Sequence, residues 1–273
     1  MARGDRFFHY PTRTIYDRPE EHGIACEDVF FESDGGQRLH GWFLPATGRA
    51  RGTLIHCHGN AGNITGHYRF VAWLPARGWN VFCFDYRGFG RSAGRPTREG
   101  DVADVHAAID CMQRREGVDA DRLVLFGQSL GGTVALAVAA EREDLAALAV
   151  EGAFASYRDE ARFVCRRTWW LWGVAGVVSR VFVATGHDAI DRVHRVGSIP
   201  KLFVCGARDG TVDHRQTIAL HEAAGPPKAL WVLPEGGHMD ALVDNEPEPG
   251  QDGVGKRDRF LGFLDGALNG QQP

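Results

Sequence analysis

Short apolar runs recur along the chain with longer helical stretches between them. That alternation is the signature of βαβ units feeding a mainly parallel sheet. The runs are Thr53 to His58, Asn80 to Asp85, Leu123 to Gly127, Leu145 to Glu151, Lys201 to Gly206 and Ala229 to Pro234. Each is brief and almost continuously apolar, as strands covered on both faces must be. Ahead of them, Val29-Phe30-Phe31 and Leu39 to Leu44 flank Ser33-Asp34-Gly35-Gly36, whose turn residues predict an antiparallel hairpin. Helical spacing places Val102, Val105, Ala108, Ile109 and Met112 on one face of a helix over Asp101 to Glu116. Leu130 to Arg142, dense in Ala, Leu and Val, predicts a deeply buried helix, and Lys256 to Leu268 predicts the closing one.

One connection breaks the rhythm. About fifty residues separate Glu151 from Lys201, roughly twice what a loop and one crossover helix require. The pattern therefore predicts a single α/β domain over 1–273 with a small helical cap inserted at about 152–198. The centre of that insertion, Thr168 to Ala184, is apolar and carries Trp169, Trp170 and Trp172. Arg180 interrupts it, and it is shorter than the ~20 residues that span a bilayer, so a packed cap is expected rather than a transmembrane segment. The tryptophans have three readings: the apolar wall of an acyl pocket, packing between cap and body, or reversible contact with a membrane surface.

Composition narrows the function classes. The 273 residues carry a formal charge of −4 spread evenly along the chain, with no basic run to track a phosphate backbone, so nucleic acid is not an expected partner. Met1 to Tyr10 holds charge but no apolar secretory core, which makes the cytoplasm the expected location. Of six cysteines, Cys57, Cys83 and Cys205 sit inside strand-like runs, where free thiols act as small buried hydrophobes.

The chemistry centres on Gly127-Gln128-Ser129-Leu130-Gly131, set between the strand Leu123 to Phe126 and a helical pattern. A sharp strand-to-helix turn lifts a serine hydroxyl clear of the sheet, and glycines two residues to either side leave room around it. A serine hydroxyl needs a base to take its proton, most often a histidine held in one tautomer by a carboxylate. Asp209 follows the run Leu202 to Cys205, and His238 follows Leu230 to Leu233 through Pro234-Glu235-Gly236-Gly237. Both thus fall just beyond strand ends, where open α/β sheets place their ligands. Glu151 and Asp213 are rivals for the acid, Asp213 reading more simply as a helix N-cap. Oxyanion donors are expected from the backbone N–H of Leu130 and from the glycine-rich turn His58 to Asn63, with Asn60 as the choice and Ala61 behind it. His56 and His58 share a strand face without a third ligand, so no metal and no cofactor are expected.

Taken in order, His58-Gly59-Asn60-Ala61-Gly62-Asn63, Asp85 to Ser92, Gly127 to Gly132, Gly206 to Asp209 and Gly237-His238 resemble the α/β-hydrolase superfamily. The closer likeness is to its esterase branch that includes depalmitoylating thioesterases. The resemblance implies a serine hydrolase acting on a small-molecule carboxylic ester or thioester through an acyl-enzyme on Ser129. It leaves open a peptidase or other acyl transfer on the same triad, and a non-catalytic binding protein on this scaffold. The dense run Asp85 to Ser92 is expected to stiffen a turn rather than touch substrate.

Overall fold

A computed structural model of the protein describes residues 7–167, 175–183, 186–247 and 252–271. Its frame is an eight-stranded sheet in the order β10-β9-β8-β7-β4-β6-β3-β2. The strands are β2 (Glu27–Ser33), β3 (Gln37–Leu44), β4 (Thr53–Cys57), β6 (Asn80–Asp85), β7 (Leu123–Gln128), β8 (Ala147–Glu151), β9 (Lys201–Gly206) and β10 (Lys228–Leu233). The hairpin β2–β3 pairs antiparallel and joins β6 antiparallel, while β6, β4, β7, β8, β9 and β10 run parallel. Every residue of β4, β6, β7, β8 and β9 is buried. Helices on both faces require this, and it explains the continuous apolar runs in the sequence.

One face is covered by α2 (Arg98–Gln113), α3 (Leu130–Ala139) and α6 (His214–Ala223), which bring Val105, Ile109, Leu136 and Leu220 onto Ile55, Phe84 and Leu125. The other is covered by α1 (Ile64–His67) and α7 (Lys256–Leu268), with Tyr68, Trp79, Phe260 and Leu264 packed on Leu54, Phe126 and Val204. Each such large side chain, fully buried, contributes about 1.5–3 kcal/mol of transfer free energy. The α2 helix begins at Arg98, three residues before the apolar periodicity suggests, because the Thr97 side chain accepts from the Gly100 N–H at 3.0 Å and so caps an earlier start.

Two short strands lie apart from the main sheet: β1 (Tyr10–Pro11) pairs parallel with β5 (Ala61–Gly62). The pairing ties the N-terminal segment to the turn after β4. His9 secures it further, its Nε2 lying 2.6 Å from Asp101 Oδ2 in a pair with both side chains buried.

Between β8 and β9 stand α4 (Tyr157–Arg167) and α5 (Ala175–Phe182), packed on each other, with Arg158 Nε donating to the Val183 carbonyl at 3.0 Å. The Ser156 hydroxyl accepts from the Asp159 N–H at 3.1 Å and starts α4. Trp169, Trp170 and Trp172 lie outside the described residues. Among the described residues, no helix is long and apolar enough to cross a membrane.

Candidate active site

The sheet register sets the site. Cys57 lies opposite Gly127, Gln128 opposite Glu151, and Leu233 opposite Gly206, so these parallel strands end along one edge. The chain leaves β4 for β6 on one side and returns to β7 on the other, so the crevice beyond β4 and β7 is the switch point where such sheets hold ligands. Asn60 follows β4, Ser129 follows β7, Asp209 follows β9 and His238 follows β10.

Ser129 is one residue long as a turn, with φ +55° and ψ −121°, a conformation L residues seldom adopt. Its N–H donates to the Glu151 carbonyl at 2.8 Å, and its own carbonyl accepts from Gly132 and Thr133 at 3.0 and 3.2 Å. The flanking glycines make the turn sterically attainable. A Cβ on Gly127 would stand 2.3 Å from the Gly131 carbonyl oxygen, and one on Gly131 would stand 2.0 Å from the Cys57 carbonyl oxygen.

Asp209 and His238, 29 positions apart, meet in a hydrogen bond of 2.7 Å from His238 Nδ1 to Asp209 Oδ2. The other carboxylate oxygen, Oδ1, accepts from the Thr211 and Val212 N–H groups at 2.7 and 2.9 Å. These amides prevent the carboxylate from rotating, so Oδ2 is held for the ring. With Nδ1 committed to Asp209, Nε2 is the nitrogen left for a serine proton. Among the described residues His238 makes no hydrogen bond to the Ser129 hydroxyl; such bonds commonly tighten only when substrate is present.

The rivals for the acid are occupied elsewhere. Asp213 caps α6, accepting from the Arg215 N–H at 3.1 Å. Glu151 is buried at the end of β8, where Oε2 accepts from Gln128 Nε2 at 2.8 Å and Oε1 from the Ala241 N–H at 2.7 Å. Burial raises its pKa. Gln128 is oriented in turn by His56, whose Nε2 lies 2.9 Å from Gln128 Oε1. His58 Nδ1 donates to the Gly59 carbonyl at 2.7 Å and its ring stacks on His67. Burial holds His58 well below the ordinary imidazole range and lowers His56 to about 3. Both are neutral packing groups.

Above Ser129 opens a cavity of about 430 Å³. Leu130 and Asn60 line it beside the serine. As the first residue of α3, Leu130 has an N–H that no helical carbonyl can take up. The Asn60 carbonyl accepts from the Tyr10 N–H at 2.7 Å, which fixes the orientation of its turn. The remaining walls are mainly apolar: Phe7 and Phe8 from the N-terminal segment, Ala161 and Val164 from α4, Phe182 from α5, and Val212. A larger and more polar hollow, about 760 Å³, lies at the opposite strand ends near Arg51, Arg122 and Asp265, away from these groups.

Two contributors escape sequence reading. The N-terminal aromatics carry no periodicity, although three of them in Phe7-Phe8-His9-Tyr10 form a visible cluster. Glu160 lines the cavity from α4 yet reads in the sequence as an ordinary first-turn acid. The run Asp85 to Ser92 is tied to its neighbours at two points. Arg87 forks onto Asp104 of α2, and Asp85 accepts from the Ile64 N–H at 2.8 Å.

Known proteins place this architecture. The family profile described as serine aminopeptidase, S33, matches residues 48–187. The YfhR protein of Escherichia coli O157:H7 is 37% identical, over 97% of this chain and 88% of its own length. The α/β hydrolase domain-containing protein WAV2 of Arabidopsis thaliana is 33% identical, over 82% of this chain and 76% of its own. The esterase Pf2001 of Pyrococcus furiosus superposes with a TM-score of 0.73 at 18% identity, over 97% of this chain and 98% of its own. With its strand order, its elbow and these similarities together, the chain belongs to the α/β-hydrolase superfamily, in the family described as serine aminopeptidase, S33.

Proposed function

We propose that this hydrolase cleaves carboxylic esters or thioesters by acyl transfer through Ser129. The Ser129 hydroxyl attacks the carbonyl carbon as His238 Nε2 takes its proton, and the Leu130 and Asn60 N–H groups receive the oxyanion. His238 then protonates the leaving group, which departs as an alcohol or thiol. Water enters, gives its proton to His238 and releases the acid, restoring the serine. Asp209 keeps the ring in one tautomer and offsets its charge when it is an imidazolium. The observation that carries this reading is the Asp209–His238 hydrogen bond of 2.7 Å on the strand edge that presents Ser129 in its strained turn.

Residues 152–198 act as a cap over the acyl group. The apolar walls and the exposed Val164, Val177, Val181 and Phe182 along α4 and α5 favour an aliphatic or aromatic acyl group over a charged one. Cleavage of an amide is the second reading, favoured by the family's description as a serine aminopeptidase. A fluorophosphonate probe tests the shared step. It is expected to label Ser129 covalently and to leave Ser129→Ala untouched; labelling that persists in the variant rejects the nucleophile. A panel of esters, thioesters and aminoacyl amides of one acyl group then ranks the leaving groups, with turnover of the amide alone overturning the ester reading.

A further inference from the structure

Glu160 is at odds with the cavity that holds it. The walls around it are Phe8, Phe154, Ala161, Val164 and Val212, yet this carboxyl is only 6% exposed and lines the same space as Ser129. A buried carboxyl without a full set of partners costs free energy, so its place in an acyl pocket calls for a ligand. Its one fixed partner is Gln216. The Gln216 Oε1 accepts from the Ala155 N–H at 3.1 Å, and that obligatory donor settles the amide's orientation. Gln216 Nε2 must then be the group that donates to Glu160 Oε2, at 2.8 Å. Oε1 has no hydrogen-bond partner among the described residues.

We propose that Glu160 forms a polar subsite within the acyl pocket that selects acyl groups bearing a hydroxyl. The inference rests on Ser129 being the acyl-accepting nucleophile. A hydroxyl suits the position because it both donates and accepts, and so pairs with a carboxylate or with a carboxylic acid. Burial pushes this carboxyl up to about 7, so near neutral pH both forms are present. An ammonium needs the ionised form alone and must also surrender its hydration to an apolar pocket. The hydroxyl is therefore the better match across the working range.

Matched p-nitrophenyl esters test it: hexanoate, its monohydroxy isomers with the hydroxyl walked along the chain, and 6-aminohexanoate. The expected result is one hydroxyl position with kcat/KM raised about three- to tenfold over plain hexanoate, the yield of one hydrogen bond. In Glu160→Gln, which keeps hydrogen-bonding capacity, the preference survives. In Glu160→Leu the ratio of the favoured hydroxyhexanoate to plain hexanoate drops to one or below. Should the leucine variant fail to fold, Glu160→Ala reads the same ratio. No favoured position in the wild type overturns the subsite, as does a preference that survives Glu160→Leu. A larger preference for 6-aminohexanoate that grows with pH overturns it in favour of an ammonium. If plain hexanoate itself shows no turnover dependent on Ser129, the nucleophile reading has failed instead, a separate outcome.

Discussion

Asp209 and Glu160 stand near the same histidine in very different surroundings. Asp209 spends both oxygens on fixed donors: two backbone amides on Oδ1 and the His238 ring on Oδ2. Glu160 has one neutral amide and an apolar cavity, and burial outweighs the help it receives from Gln216 and His238, lifting its carboxyl from 4.5 to about 7. The stability consequence has a definite sign. Between those two pH values the folded chain keeps a proton that the unfolded chain has released, so the native state loses stability as pH rises through the window. Above about pH 7 the loss is complete. Glu160→Gln retains an acceptor for Gln216 and removes the titration. Its stability relative to wild type is expected to climb from pH 4.5 to 7 and then level, by about 3 kcal/mol at most. Urea unfolding of both proteins at pH 4.5, 6 and 8 measures it; a difference independent of pH would remove burial as the cause.

Beyond the ladder that joins β7 to β8, the Glu151 side chain links their ends to the loop after β10. Its carboxyl joins Gln128, the residue before Ser129, to the Ala241 N–H in the loop that carries His238, while its carbonyl accepts the Ser129 N–H. One buried side chain thereby sets the spacing of elbow and histidine loop. Glu151→Ala leaves two buried donors unsatisfied, each costing about 1–3 kcal/mol. It also frees the histidine loop to shift, and a misplacement near 1 Å lowers rate by about a hundredfold. The variant is expected to lose more in kcat than in KM, measured on an ester whose Ser129 dependence is established. A loss confined to stability would make Glu151 a packing residue only. Such linkage is invisible along the sequence. The apolar run Ala147 to Val150 announces a strand and its terminal glutamate one rival acid, but which of Glu151, Asp209 and Asp213 meets the histidine depends on register across β8, β9 and β10. Strands read well because burial on both faces writes itself into composition. The pair β1–β5 does not, since two residues held by an outside anchor, the His9–Asp101 pair, leave no pattern to read.

At the scale of the molecule, the sheet presents polar machinery at its carboxyl edge, and two otherwise unrelated segments roof it with hydrocarbon: the N-terminal stretch carrying Phe7 and Phe8, and the α4–α5 pair. The β8–β9 connection stands out in the sequence by its length alone, whereas the part played by the N-terminus needed the folded chain, because it comes from a contact across about 50 residues with the turn after β4. This division of labour predicts how rate should depend on the acyl chain. The reacting groups see only the carbonyl, so added methylenes act through burial against the apolar walls, worth about 0.8 kcal/mol each, or about fourfold in kcat/KM. The rise should continue while the chain fits within the cavity of about 430 Å³ and stop once it is filled. A series of p-nitrophenyl esters from acetate to dodecanoate, measured below their critical micelle concentrations, checks this. A steep climb followed by a plateau or fall is the expected profile. A series that is flat from the shortest member onward would mean that the acyl group lies outside this cavity, and the hydrocarbon roof would then have to serve packing alone.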